Sequence, residues 1–74
     1  MSLEFVARGI YVVVTESDGT KVSINTNNIT LIRDTLRGGS LIEFVGGGAL
    51  YTEESRVEVT RRISDGMNKQ CLTV

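Results

Sequence analysis

The chain contains no histidine. That removes the side chain most often used as a general base near neutral pH, or as the partner that activates serine or cysteine. Cysteine is nearly absent too. Cys71 stands alone, so no disulfide can form within the chain. One cysteine without histidine cannot build a zinc or iron–sulfur cage. No metal and no cofactor is expected. No apolar run reaches the roughly 18 residues a membrane-crossing helix needs, so no membrane partner is expected. The opening Met1-Ser2-Leu3-Glu4 lacks the basic-then-apolar pattern of an export signal. With a lone cysteine, this points to a cytoplasmic location. Gly46-Gly47-Gly48 lacks the Lys-Ser/Thr of a phosphate loop and the GxGxxG spacing of a dinucleotide fold. Catalysis is therefore not expected.

Charge is scarce in net terms. Eight basic residues face nine acidic ones, for a formal charge of −1. Nucleic acid is not expected as a partner, because phosphate neutralisation needs a basic excess. The basic side of the last third, Arg56, Arg61, Arg62 and Lys69, reads as a solvated helix face. With 74 residues the chain forms one domain, residues 1–74, with little capacity to bury a core. Small domains without disulfides or metal commonly associate, so a second copy of the chain is an expected partner.

What is present is β-favouring sequence broken by turn residues. Strands are expected at about residues 5–15, 21–25, 29–34, 40–45 and 49–52. In Gly9-Ile-Tyr-Val-Val-Val-Thr15, Ile10, Val12 and Val14 share one face; Tyr11 and Val13 share the other. Asp18-Gly19 marks a hairpin in which both residues tolerate positive φ. Val22 and Ile24 alternate with polar residues, the pattern of a half-buried strand. Asn25-Thr26-Asn27-Asn28 is a turn whose side chains bond back to backbone. Ile29 and Leu31 are expected on one face of the third strand and Ile32 on the other. Ile42 and Phe44 share a face of the fourth.

The period then changes. Ser55-Arg-Val-Glu58 matches a capping box, with Ser55 accepting an amide and Glu58 reaching back. Glu53 and Glu54 favour the positive end of the helix dipole. Val59 and Ile63 form its apolar side, and Gly66 is expected to end the helix, giving about 56–64. The tail, residues 67–74, adds a sixth strand or packs on another subunit.

The order Gly19-x-x-Val22-x-Ile24-Asn25, Ile29-x-x-Ile32, Ser40-x-Ile42, a Gly turn, Leu50-Tyr51-Thr52, Glu54-Ser55, Val59 and Ile63 resembles a flagellar protein family, FlbD, also called swarming motility protein SwrD. The likeness covers roughly Val12 to Ile63. Members look like a β-meander closed by a Glu-Ser-Val-Glu-Glu-Val helix; the corresponding segment here is Glu54-Ser-Arg-Val-Glu-Val59. The resemblance implies a non-enzymatic accessory factor that works through a protein partner. It supplies no catalytic or ligand residue.

The fold class expected is mainly β: an antiparallel sheet of five to six strands, bent or closed into a small barrel, with one C-terminal helix. One helix covers only one face of a sheet. The other apolar face is closed by barrel formation or by a second subunit, with Tyr11, Val13, Ile32, Leu72 and Val74 as interface candidates. Gly46, Gly47 and Gly48 read either as a turn needing positive φ or as part of a site. With Arg33, Arg37, Gly38, Gly39 and Ser40 they offer amides, guanidinium forks and a hydroxyl that suit a small phosphate-bearing, nucleotide-like ligand. Asn25, Asn27, Asn28 and Tyr51 are candidates for base or ribose contacts.

Overall fold

The computed structural model describes residues 10–72, with side chains through residue 66. The elements are β1 (Tyr11–Thr15), β2 (Lys21–Asn25), a short 3-10 turn (Thr26–Asn28), β3 (Ile29–Asp34), β4 (Ser40–Phe44), β5 (Ala49–Thr52) and α1 (Arg56–Leu72). The chain is mainly β with a C-terminal helix. Among the described residues five strands form two antiparallel sheets, β1–β2 and β3–β4–β5. This corrects the single sheet of up to six strands and the closed barrel. Among the described residues β2 and β3 share no ladder, because the 3-10 turn between them redirects the chain. No described helix is long and apolar enough to cross a membrane.

The sheets touch at one corner. Glu16 bridges Thr52, the Glu53 amide donates to the Thr15 carbonyl (2.8 Å), and the Ser17 amide donates to the Tyr51 carbonyl (3.1 Å). Beyond that corner β1 and β5 separate, and α1 lies against β1 and β3.

Three hairpin loops share one construction. The amides of Gly19, Gly38 and Gly47 donate back to the carbonyls of Glu16, Thr35 and Phe44, at 2.8, 3.2 and 3.0 Å. Each of these glycines has positive φ, as does Gly46 in the third loop, and among the described residues no non-glycine does. These are three-residue loops ending in a glycine bulge. Asp18 therefore does not share the positive φ expected of an Asp-Gly pair; it accepts from the Thr20 amide at 2.9 Å instead.

Inward positions build a small core. Val12, Val14, Ile24, Ile42 and Val59 are buried, with Val22, Ile29, Ile32, Phe44, Leu50 and Ile63 packed around them. Val59 and Ile63 are the helix's share of that core. Tyr11 (62 % exposed) and Val13 (49 %) lie on the outer face, so among the described residues β1 is covered on one side only. β3 departs from simple alternation. Its register against β4 shifts between Ile29 and Leu31. Such a bulge moves later residues to the opposite face. Ile29 and Ile32 consequently both face inward and Leu31 outward, which removes Ile32 from the candidate interface.

The helix begins with Ser55 as its cap. Its Oγ accepts from the Glu58 amide at 3.2 Å. Glu58 does not reach back; its carboxylate pairs with Arg61 and Arg62. Gly66 does not end the helix, which continues to Leu72. A Cβ at Gly66 would lie 3.2 Å from Ile10 Cγ2, so the glycine lets helix and strand approach closely. A sixth strand over residues 67–72 is excluded by that helix. Val74, the Leu72 and Cys71 side chains, and residues 5–9 of the expected first strand lie outside what is described.

Gly38 and Gly39 adjoin but answer to different constraints. A Cβ at Gly39 would stand 2.1 Å from the Thr52 carbonyl oxygen, backbone against backbone. Gly38 has open space but a φ of 99°. Gly38→Ala should cost about 1–2 kcal/mol, and Gly39→Ala more than about 3 kcal/mol, since two strands must part. Urea unfolding of both variants checks this; equal losses would contradict it.

Candidate functional site

The outer face of the three-stranded sheet carries a row across all three strands. Arg33 pairs with Leu41, and Leu41 with Tyr51. Side chains alternate along a strand, so all three project away from the core. The Thr35–Gly39 loop rises beside this row, and the β1–β5 corner brings up Ser17 and Glu53. Together they enclose an open groove of about 940 Å³, lined by Arg33, Asp34, Leu36, Arg37, Gly38, Gly39, Leu41, Tyr51 and Glu53 among others.

Arg33, Arg37, Gly38, Gly39 and Tyr51 thus meet in one place. Ser40 does not join them. It is fully buried, and its hydroxyl and that of Thr52 are hydrogen-bonded at 2.8 Å. Gly46, Gly47 and Gly48 are at the other end of β4, roughly 17 Å away at about 3.4 Å per residue, and cannot share a small ligand with Arg37. Asn28 belongs to that far end, since its carbonyl accepts from the Val45 amide at 2.7 Å. The Asn25 side chain is occupied by the Asn27 amide (2.9 Å). The groove adds Asp34, Leu36, Leu41 and Glu53 to the candidates. The outward register of Leu41 and Tyr51 could have been inferred once their strands were paired. Asp34 and Glu53 gave no local signal.

The charges in the groove are differently engaged. Arg33 lies 3.9 Å from Glu43, an exposed and weak pair. Asp34 accepts from the Arg56 amide (3.0 Å) and Nε (3.1 Å). The Arg56 amide, then its side chain, hold the Asp34 carboxyl below its ordinary range. Arg37 and Glu53 form no ion pair among the described residues.

Beneath the groove wall, Glu54 takes a different part from its neighbour. Its carboxylate accepts from the Thr15 amide (2.8 and 3.1 Å), the Thr15 hydroxyl (2.9 Å) and Arg62 Nη1 (3.2 Å). Arg62 Nη1 also donates to the Val13 carbonyl at 2.8 Å. Burial opposes ionisation of Glu54, but the Thr15 amide and hydroxyl and the Arg62 charge outweigh it and hold the carboxyl below its usual value. Glu54 thus ties helix and strand together. Among the described residues no three His, Cys, Asp or Glu side chains gather as a metal site would require.

No family model, curated protein or solved structure matches the chain.

Glu54, Asp34 and Asp18 all release protons more readily folded than unfolded. Their contribution is complete above the ordinary carboxylate pKa and is lost as pH falls through it toward the folded values. The melting temperature should hold between about pH 8 and 6 and fall below about pH 5. Glu54→Gln should be less stable at neutral pH and show a shallower acid decline. A parent melting temperature unchanged down to about pH 3 would contradict this.

Proposed function

We propose that the protein is a non-catalytic binding module that works as a homo-oligomer and takes a small anionic, nucleotide-like ligand in the groove beside the Thr35–Gly39 loop. The observation that carries this reading is the convergence there of Arg33, Arg37 and Tyr51. Guanidinium groups bind phosphate through paired, charge-assisted hydrogen bonds. Tyr51, 59 % exposed, offers a ring face on which a base can stack. The Gly38-Gly39 pair leaves that rim free of side chains. A cytoplasmic location belongs to the same proposal.

Self-association is supported by the outer face of β1. Tyr11 and Val13 are exposed side by side there, where the helix does not reach. A second reading, an accessory factor acting on another protein as the FlbD and SwrD likeness implies, draws on Leu36. That residue is fully exposed at the tip of the Thr35–Gly39 loop, as protein-contact anchors commonly are.

Mono-, di- and cyclic nucleotides should raise the melting temperature of the parent. Arg37→Ala should weaken binding about tenfold or more and Arg33→Ala by less, because Glu43 already shares its charge. The ligand reading fails if no nucleotide at millimolar concentration shifts the transition. Light scattering should give a dimer or larger species that Tyr11→Lys with Val13→Lys converts to monomer. A parent monomer would remove the oligomer.

A further inference from the structure

The groove brings together groups of opposite charge, the Glu53 carboxylate and the guanidinium groups of Arg33 and Arg37, and their spacing bears on which ligand fits. Tyr51 and Glu53 both line it and stand two residues apart. Glu53 directly follows β5, at a bend in the chain, and its amide donates to the Thr15 carbonyl. Two residues of extended chain span about 7 Å, close to the width of a purine. A base stacked on Tyr51 therefore brings one edge to the Glu53 side chain. Arg33 lies across two strand spacings in the same row, roughly 10 Å from Tyr51, with Arg37 on the loop above it. That is the separation between the base and the phosphate of an extended nucleotide.

The charges in the groove differ in kind. Asp34 is engaged by Arg56, and Arg33 is shared loosely with Glu43. Glu53 and Arg37 have no ion pair among the described residues. A carboxylate accepts hydrogen bonds and donates none. It suits a base edge that presents adjacent N–H donors and disfavours one that presents acceptors alone.

Resting on the ligand reading above, we infer that the groove selects a purine with two adjacent N–H donors on its pairing edge, as guanine has. The base stacks on Tyr51, its donors meet Glu53, and its phosphate meets Arg37 and Arg33. Adenine offers one donor beside an acceptor, and hypoxanthine keeps the ring N–H but lacks the amino group. The affinity order is then guanine, hypoxanthine, adenine.

Titration calorimetry on the full chain with guanosine, inosine and adenosine 5′-monophosphates tests this. Guanosine monophosphate should bind at least about tenfold tighter than adenosine monophosphate, the usual effect of one bidentate pair, with inosine monophosphate between. Glu53→Gln should erase most of that preference and leave the transition in urea unchanged, since only the Glu53 amide is hydrogen-bonded within the fold. Arg37→Ala should weaken all three nucleotides alike and keep their order. Equal affinities for the three, unaltered by Glu53→Gln, would overturn the base selection and leave the nucleotide reading standing. Absence of binding by all three would overturn both.

Discussion

The structure depends on what is done with the second edge of β1. Its first edge is laddered to β2. Its other edge meets β5 only at the corner, where the Glu53 amide reaches the Thr15 carbonyl. A strand edge left bare in a half-buried place leaves polar groups without partners, each costing about 1–3 kcal/mol. Here side chains from the helix region take the place of a strand. Glu54 accepts the Thr15 amide and Arg62 donates to the Val13 carbonyl. Two residues eight apart, one just before α1 and one in it, thereby fix the direction in which the helix runs along β1. They occupy the β1 edge that a closed barrel would pair with β5.

The open arrangement separates two surfaces. The inner face holds four buried aliphatic side chains from the strands, Val12, Val14, Ile24 and Ile42, closed by Val59 and Ile63 of α1. The outer face has no such cover and carries Tyr11, Val13, Leu31 and Tyr51 exposed. The groove forms where the corner contact lifts Ser17 and Glu53 beside the outward row of Arg33, Leu41 and Tyr51. The segment from Thr52 to Arg56 belongs to both halves of this design. Thr52 is buried against Ser40, Glu53 opens to the groove, Glu54 ties β1, Ser55 caps the helix, and the Arg56 amide returns to Asp34. Changes to the helix start and to the groove wall are therefore coupled through adjacent peptide units.

Much of the architecture was legible wherever local physics governed it. Val12, Val14, Val22 and Ile24 alternate in sequence and face inward in space. The Asp-Gly and Gly-Gly segments mark turns, and Ser55 caps the helix through the Glu58 amide. The misreadings fall where distant residues decide. The bulge after Ile29 exchanges the faces of Leu31 and Ile32, and nothing in Ile-Thr-Leu-Ile announces it. Gly66 has the local signature of a helix stop, yet the close approach of Ile10 gives that glycine a packing role inside the helix. In the candidate site, Arg33, Arg37 and Tyr51 were legible as chemistry but not as neighbours. Gly46, Gly47 and Gly48 read in sequence as part of an adjoining hairpin, but β4 holds the two loops apart. Glu53 and Glu54 look alike as letters and diverge only when the β1–β5 corner turns one outward and the other inward.

Amide hydrogen exchange of Thr15 and Val13 measures the completed edge most directly. Both amides point away from β2, but only that of Thr15 reaches Glu54. Thr15 should exchange slowly, at a rate comparable to the laddered amides of Val12 and Val14, while Val13 exchanges fast. Glu54→Ala should bring Thr15 close to the Val13 rate without loss of protection at Val12 and Val14. A Thr15 amide that exchanges as fast as Val13 in the parent, or stays protected in Glu54→Ala, would contradict the account.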